Sequence, residues 1–309
     1  MSDAGNGVRL RLPATSANLG PGFDALALAL KLHLEIEAEA AGEFTIEATG
    51  RDAKICAATE DNLLLKTYRQ LLATEGREAL PLRVRMKNDI PLGMGCGSSA
   101  AVRLAAAALA SHFGGLRWDS ERILAEACRL EGHPDNAAAC WLGGFVASAM
   151  DGERVQAVRF APPAAWRAVL AMPERPLATM ESRAVLPAAW PRRDVVENLQ
   201  RVALLTAAMA AGRADLLANA MRDRLHQPYR AEVCPLLGHL LPMAGHSGVL
   251  GAALSGAGPA VLLLTESEEA ASEARERVER TVDRDGPVEV LVCEMETEPA
   301  LFQVTDAAR

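Results

Sequence analysis

The chain has 309 residues, a formal net charge of −8 and no cluster of lysine or arginine, so we expect about two domains and no nucleic-acid partner. Half of its residues are hydrophobic, which is enough for a sizeable core. There is no uncharged apolar run of about 18 residues and no apolar segment of the signal-peptide type at the N-terminus, so we expect neither a membrane span nor a signal peptide.

The first half of the chain mixes strands and helices without the regular alternation of a doubly wound sheet. Apolar and polar residues alternate in three stretches, which predict strands, and helical spacing with plausible caps predicts three helices. The predicted strands cover residues 8–14, the stretch from residue 30 to 41, and the stretch from residue 80 that Pro91 ends. The predicted helices cover residues 60–76, the alanine-rich stretch that follows the glycine loop and two serines within 93–115, and 119–132, and a break, a short helical turn and a strand follow over 133–150.

The second half begins near residue 153, and Pro162 with Pro163 marks a plausible crossing between two domains. A helix-rich block over residues 194–230 comes first. Strand, turn, strand, helix and strand then follow between residues 251 and 296. Thr265 with Glu268 predicts a capping box for the last helix. This order is typical of a two-layer α+β domain with antiparallel strands.

Residues 91–101, PLGMGCGSSAA, combine three alternating glycines with two serines where a predicted helix begins. Glycine lets a backbone approach a ligand closely and adopt positive φ. The first N–H groups of a helix have no internal partner, and the helix dipole adds positive charge there. The pattern indicates an anion site suited to a nucleotide phosphate, and a glycine-rich turn with serine N-caps is the alternative.

Two common nucleotide motifs do not explain this loop. The chain contains no Gly-Lys-Ser/Thr, so the loop is not a Walker A motif. A dinucleotide fingerprint needs GxGxxG directly after a strand and an acidic residue about 20 residues later. Here the spacing is GxGxG, Pro91 separates the loop from the strand, and the region around His112 has no acid. A Rossmann-type oxidoreductase is therefore disfavoured.

Two further glycine clusters lie far from this loop in the chain. Residues 13–24, PATSANLGPGFD, place Asn18 and Asp24 on either side of a glycine-proline elbow, which is either a surface turn or the floor of a site for a small polar ligand. Residues 253–261 read ALSGAGPAV. The three clusters, in this order, resemble the signature motifs of the GHMP small-molecule kinases. The first is worded most like the family members that act on homoserine. Further stretches similar to those members are EGHPDN at 131–136, SRAVLP at 182–187 and HQPYR at 226–230.

This resemblance implies an α+β fold of two domains. The N-terminal domain would be like the second domain of ribosomal protein S5, and the C-terminal domain would be ferredoxin-like. We expect the domains at residues 1–163 and 164–309, with the active site between them. The implied activity is ATP-dependent phosphorylation of the hydroxyl of L-homoserine, and threonine, pantoate or a related hydroxy acid is the alternative acceptor.

The resemblance also assigns the groups that would handle ATP and Mg²⁺. The glycine loop would hold the phosphates with its backbone amides. Mg²⁺ would be bound by a serine hydroxyl, from Ser98 or Ser99, and by the carboxylate of Glu131, for which Glu126 on the same helix is the alternative. The predicted ATP-binding residues are Pro91, Leu92, Gly93, Met94, Gly95, Cys96, Gly97, Ser98, Ser99, Ala100 and Ala101.

An amino-acid acceptor presents an ammonium, a carboxylate and a hydroxyl. The resemblance gives the ammonium to Asp24 and the carboxylate to two arginines, whose forks pair bidentately with carboxylates. It makes Asp135 and Asn136 the candidate catalytic residues. Asp135 either binds the substrate only or also accepts the hydroxyl proton, and a turn and N-cap is the purely structural alternative for this cluster. The predicted acceptor-binding residues are Asn18, Asp24, His133, Asp135, Arg183 and Arg230.

The expected partners are therefore ATP and L-homoserine. The family also suggests a homodimer. None of the six cysteines forms a CxxC pair, so we expect reduced thiols in a cytoplasmic protein.

Overall fold

A computed structural model describes residues 7–282 and 286–305 of the chain. The first six residues belong to the stretch in which we expect no signal peptide, and they lie outside the described residues. The strands are β1 (Gly7–Asn18), β2 (Gly22–Ala40), β3 (Thr45–Gly50), β4 (Leu82–Asn88), β5 (Phe145–Asp151), β6 (Arg154–Phe160), β7 (Arg167–Pro173), β8 (Val249–Leu254), β9 (Val261–Thr265), β10 (Val288–Cys293) and β11 (Leu301–Thr305).

The helices fall into an N-terminal and a C-terminal group. They are α1 (Ala53–Ala57), α2 (Leu63–Thr74), α3 (Ser98–Phe113), α4 (Ser120–Glu131), α5 (Asp135–Leu142), α6 (Thr179–Ala184), α7 (Arg192–Ala211), α8 (Ala214–Ala220), α9 (Gln227–Arg230), α10 (Pro235–Leu240) and α11 (Glu268–Val282), with a short 3₁₀ helix at Leu241–Met243. Within the described residues, none of these helices has the length and apolar character that crossing a bilayer requires.

The first sheet is organised around the long strand β2. It pairs with β1 along most of its length, with β5 through Leu26–Leu28 and with β4 through Leu34–Ala40, so one strand joins both arms of the sheet. The order is β11-β1-β2-β4-β3, with β5 and β6 branching from β2. Pairing is antiparallel except between β3 and β4.

Helix α3 forms the centre of the first core. It contacts α2, α4 and α5 as well as β1 and β2. Residues 105–110, five of them alanine, are 0% exposed, so the helix is buried on all sides in its middle. Helix α3 therefore has a fixed position, and so does its first turn at Ser98.

The second sheet has the order β10-β7-β9-β8 and is wholly antiparallel. Alternate residues of β7 face opposite sides. Val169 and Ala171 join a small core under α10 and α11, whereas Leu170 and Met172 join the main core. Both faces of this sheet are therefore buried, and the sheet packs directly against the rest of the molecule.

The expected capping box at the last helix is wrong. Thr265 still belongs to β9, where it pairs with Arg167. The hydroxyl of Ser267 accepts the backbone N–H of Ala270 at 3.2 Å and so caps α11. Pairing with β7 holds Thr265 in the strand, so the residue that caps the helix is Ser267 instead.

The chain returns to the first sheet at its end. After β10 it leaves the second sheet, and β11 pairs with β1 from Gly7 to Arg11. The division at residues 163 and 164 remains a proposal, and β11 contributes its hydrogen bonds to the N-terminal sheet.

Candidate active site

Hydrogen bonds of Asn18 fix the two ends of the glycine-proline elbow between β1 and β2. Asn18 and Asp24 both adopt positive φ, 70° and 56°, which Asn and Asp tolerate better than most residues. The amide of Asn18 donates to Gly256 O at 2.8 Å, and its oxygen accepts the N–H of Asp24 at 3.1 Å. Gly20 has no room for a side chain, because a Cβ there would lie 1.9 Å from Met221 O. The elbow is therefore a fixed element that holds Asp24.

The glycine loop is clamped between the two other glycine clusters. Gly93, Gly95 and Gly97 have φ values of 69°, 76° and 72°, and Gly97 is the N-cap position of α3. A Cβ on Gly95 would lie 2.1 Å from Ser255 O. The hydroxyl of Ser255 donates to Gly95 O at 2.8 Å, and Thr15 N donates to Cys96 O at 3.0 Å. The conformation of the loop therefore depends on all three clusters.

Ser99 and Glu131 meet at the start of α3. The hydroxyl of Ser99 donates to Glu131 Oε1 at 2.7 Å, and Arg103 Nη1 lies 2.8 Å from the same oxygen. Ser98 also borders the cavity that this pair faces. Glu126 is turned elsewhere and pairs with Arg122 and Arg129 on its own helix.

The cluster after α4 joins a histidine to a buried carboxylate. His133 Nδ1 lies 2.5 Å from Asp135 Oδ1, which also accepts the N–H of Asn136 at 2.7 Å. Asn136 Oδ1 accepts the hydroxyl of Thr15 at 2.6 Å. Burial lowers the pKa of His133, but the hydrogen bond and the charge of Asp135 outweigh it, so the net pKa is raised. Asp24, His133 and Asp135 each bring one potential ligand atom to within 4.8 Å of the others.

Two arginines lie above the ring of Phe23, with guanidinium carbons 5.5 Å (Arg183) and 5.3 Å (Arg230) from its centroid. Arg183 makes a bidentate ion pair with Asp24, at 2.7 and 3.2 Å. Arg230 is 1% exposed and donates to Ser182 O and Gly256 O, each at 3.2 Å. Burial, and then the charge of Arg183, lowers the pKa of Arg230 to about 10, so it is still a cation at neutral pH.

These groups surround one cavity of about 310 Å³. The predicted site residues that border it are Asn18, Asp24, Gly93, Gly95, Cys96, Gly97, Ser98, Ser99, Ala100, Glu131, His133, Asp135, Asn136, Arg183 and Arg230. Pro91, Leu92 and Met94 border a second cavity of about 740 Å³, which shares Gly93 with the first. Ala101 is buried inside α3.

Several residues around the cavity were not predicted as site residues. Arg103 contacts Glu131, Phe23 carries both arginines, and His226 lies 3.1 Å from Arg230 through Nδ1. Gly256 to Gly258 border the cavity directly. The third glycine cluster and the stretch 226–230 already resemble family motifs, so the sequence could have pointed to the glycines and to His226. Arg103 lies in the alanine-rich helix outside any motif, and nothing in the sequence marks it as a site residue.

Comparison with known proteins places the chain in a family. The model of the GHMP kinase N-terminal domain matches residues 62–144, and the model of the C-terminal domain matches residues 205–284. A homoserine kinase of Solibacter usitatus is 43% identical over 86% of this chain and 88% of its own length. One of Moorella thermoacetica is 39% identical over 90% of this chain and 96% of its own length.

Solved structures agree with these matches. Homoserine kinase from Cytophaga hutchinsonii has a TM-score of 0.81 at 25% identity and covers 98% of this chain and 99% of its own. A putative homoserine kinase from Listeria monocytogenes has a TM-score of 0.77 at 28% identity, with 96% and 99% covered. The expected α+β fold with two GHMP kinase domains is confirmed. The chain therefore belongs to the GHMP kinase family.

Proposed function

We propose that this chain transfers the γ-phosphoryl group of ATP to the side-chain hydroxyl of L-homoserine, a step of threonine biosynthesis. The products are O-phospho-L-homoserine and ADP. The observation that carries the proposal is the composition of the cavity. A glycine loop and the first turn of a buried helix border it, and so do Asp24, Arg183 and Arg230. The relatives named homoserine kinases support the same acceptor.

The phosphates of ATP would lie against the glycine loop. Positive φ at Gly93, Gly95 and Gly97 exposes backbone amides, and the first turn of α3 adds the positive end of a helix dipole. The protein carries a formal net charge of −8, so local amides have to provide the attraction that its overall charge opposes. The second cavity, which shares Gly93, is the adjoining space for the nucleoside.

The residues around Ser99 fit a magnesium ion. Mg²⁺ prefers oxygen ligands and is held in kinases by one or two side chains together with phosphate oxygens. Ser99 Oγ and Glu131 Oε1 are 2.7 Å apart and border the cavity beside the loop, so we assign this hydroxyl and this carboxylate as ligands, with Ser98 as the neighbouring hydroxyl. Bound there, the ion would neutralise charge on the transferred phosphoryl group.

The acceptor would be oriented by its two charges. Its ammonium would bind at Asp24, where the carboxylate of Asp135 and the ring of His133 converge. Its carboxylate would bind Arg183 and Arg230. Asn136, which Thr15 orients, would hydrogen-bond the reacting hydroxyl. Asp135 would bind the substrate. Whether it also accepts the proton of the hydroxyl is the alternative that stays open.

The test is a coupled assay of ADP release with homoserine, threonine, pantoate and mevalonate as acceptors. We expect homoserine to have the highest kcat/KM. Threonine should react more slowly, because its secondary hydroxyl stands on a shorter arm and does not reach the in-line position. If pantoate or threonine has a higher kcat/KM than homoserine, the homoserine assignment is wrong.

Two other expectations remain proposals. The homodimer comes from the resemblance alone and is testable by analytical ultracentrifugation. A cytoplasmic location is supported by the cysteines, since all six are free thiols and five of them are buried.

A further inference from the structure

Asp24 and Arg183 bind each other, so neither side chain is free to bind a substrate. Both oxygens of Asp24 accept from Arg183, Nη2 at 2.7 Å and Nη1 at 3.2 Å. These are the groups that a substrate ammonium and a substrate carboxylate would need. A bidentate pair uses the strongest hydrogen-bonding direction of both partners. The acceptor therefore competes with an ion pair inside the protein.

The two partners differ in how firmly they are held. Asp24 sits on the elbow that Asn18 fixes, whereas Arg183 stands on α6, a helix of six residues, with its side chain 38% exposed. Arg230 is fixed by backbone carbonyls on two segments. Arg183 is thus the one charged group of the three that is free to turn, and in its pair with Asp24 its guanidinium lies 5.5 Å from the centroid of the Phe23 ring.

We propose that the Asp24–Arg183 ion pair is a charge filter that a zwitterionic alcohol opens by exchanging both partners. This inference rests on the proposed function and adds the way in which the site selects its acceptor. The ammonium takes the place of Arg183 at Asp24. Arg183 turns toward Arg230, and the substrate carboxylate binds between the two guanidinium groups.

Only a zwitterionic acceptor leaves every charge paired after the exchange, because its ammonium replaces Arg183 at Asp24 and its carboxylate pairs with the released Arg183. An alcohol with an ammonium and no carboxylate releases Arg183 and leaves that cation beside Arg230. An alcohol with a carboxylate and no ammonium leaves Asp24 without a cation. An unpaired charge in a partly desolvated site is costly, so alcohols with one charge are rejected although their hydroxyl is in place.

The experiment compares three acceptors in the wild type, Arg183→Gln and Asp24→Asn. The acceptors are homoserine, 3-aminopropan-1-ol, which lacks the carboxylate, and 4-hydroxybutanoate, which lacks the ammonium. We expect Arg183→Gln to raise kcat/KM for 3-aminopropan-1-ol relative to homoserine by about tenfold, because Asp24 is then free. Asp24→Asn should raise the relative value for 4-hydroxybutanoate by a similar factor. Arg213→Gln is the matched control, since Arg213 makes an equally bidentate pair with Asp215 on the surface.

A second measurement uses the unmodified protein. Formate supplies the missing carboxylate and should accelerate phosphorylation of 3-aminopropan-1-ol, whereas chloride at the same ionic strength should not. The proposed exchange is wrong if both variants raise the relative kcat/KM of the two analogues equally. It is also wrong if neither variant changes these relative values and formate has no effect. A wild type that releases no ADP with homoserine, while another alcohol is phosphorylated, instead contradicts the proposed function, whereas the two ratios and the formate effect decide the charge filter.

Discussion

Glu131 ends helix α4 beside the glycine loop, and the proposed metal site depends on its carboxylate. We expect Glu131→Gln to lower kcat by about 10²–10³-fold, the scale for losing one preorganised electrostatic partner, and to raise the Mg²⁺ concentration for half-maximal activity. Mn²⁺ binding, followed by electron paramagnetic resonance in the presence of ATP, should weaken in parallel.

Glu126→Gln is the matched control on the same helix. Glu126 is 6% exposed and pairs with Arg122 and Arg129, so its replacement should lower the melting temperature and leave the metal requirement unchanged. A variant pair in which Glu126→Gln weakens Mn²⁺ binding and Glu131→Gln does not would show that the metal carboxylate is misassigned.

His133 provides a pH-dependent contribution to stability. Burial lowers the pKa of its ring, but Asp135 raises it more, so the folded value lies above the ordinary 6.5. A raised pKa stabilises the fold in full below the unfolded pKa, and the contribution is lost as the pH rises through the folded pKa. The difference in melting temperature between the wild type and His133→Asn should therefore be larger at about pH 5.5 than at about pH 9. A difference that is constant, or that grows with pH, would contradict the charged His133–Asp135 pair.

At the scale of elements, the glycine loop shows that the cost of replacing a glycine depends on what surrounds it. Gly95 and Gly76 both have positive φ, 76° and 63°, but a Cβ on Gly95 would meet Ser255 O at 2.1 Å while nothing lies within 4 Å of one on Gly76. Gly76→Ala should cost about 1 kcal/mol of unfolding free energy, the cost of the left-handed backbone, and leave activity unchanged.

Gly95→Ala should cost more than Gly76→Ala and abolish ATP binding, because the loop has to move away from Ser255. Urea unfolding and titration with a fluorescent ATP analogue would measure the two effects. Equal unfolding free energies for the two variants, with ATP affinity retained in both, would show that the contact with Ser255 does not determine the conformation of the loop.

Strand β4 and helix α4, each of which carries a local signal, were predicted correctly. Strand β4 alternates buried and exposed residues over its whole length, and α4 begins after Asp119, whose carboxylate accepts the N–H of Arg122 at 2.8 Å. Strand β7 was not predicted, because it is buried on both faces and its residues do not alternate in polarity. The predictions of β4 and α4 needed only the pattern within each segment, whereas β7 is specified by the neighbours on either side.

At the scale of the molecule, the path of the chain brings distant segments to one cavity. Asn18 bonds Gly256 across 238 residues, and Asp24 pairs with Arg183 across 159. Ion pairs outside the cavity also join distant segments: Lys31 of β2 pairs with Glu294, directly after β10, at 2.6 Å, and Arg51, directly after β3, pairs with Glu289 of β10. The cavity walls therefore come from both halves of the chain: strands β1 and β2 and helices α3 to α5 on one side, and α6, α9 and the loop after β8 on the other.

The sequence alone determined the chemistry that is available to this protein. Its evidence lies in short segments, where backbone preference and residue type can be inferred directly from the sequence. These segments hold the glycine clusters, the serine pair at a helix start, and the motif-matched acids and arginines. Their resemblance to the GHMP kinases led to the fold that the comparisons confirm. The roles of the individual site residues stay predictions.

Only the tertiary structure decided which of these groups meet. It joins Ser99 to Glu131, turns Glu126 away, brings Arg103 to the same carboxylate and pairs Asp24 with Arg183. It also returns β11 to β1 and moves the cap of α11 to Ser267. The physical reason is range: periodicity and capping act over a few residues, whereas an ion pair or a strand pairing depends on the packing of segments that are far apart in the chain.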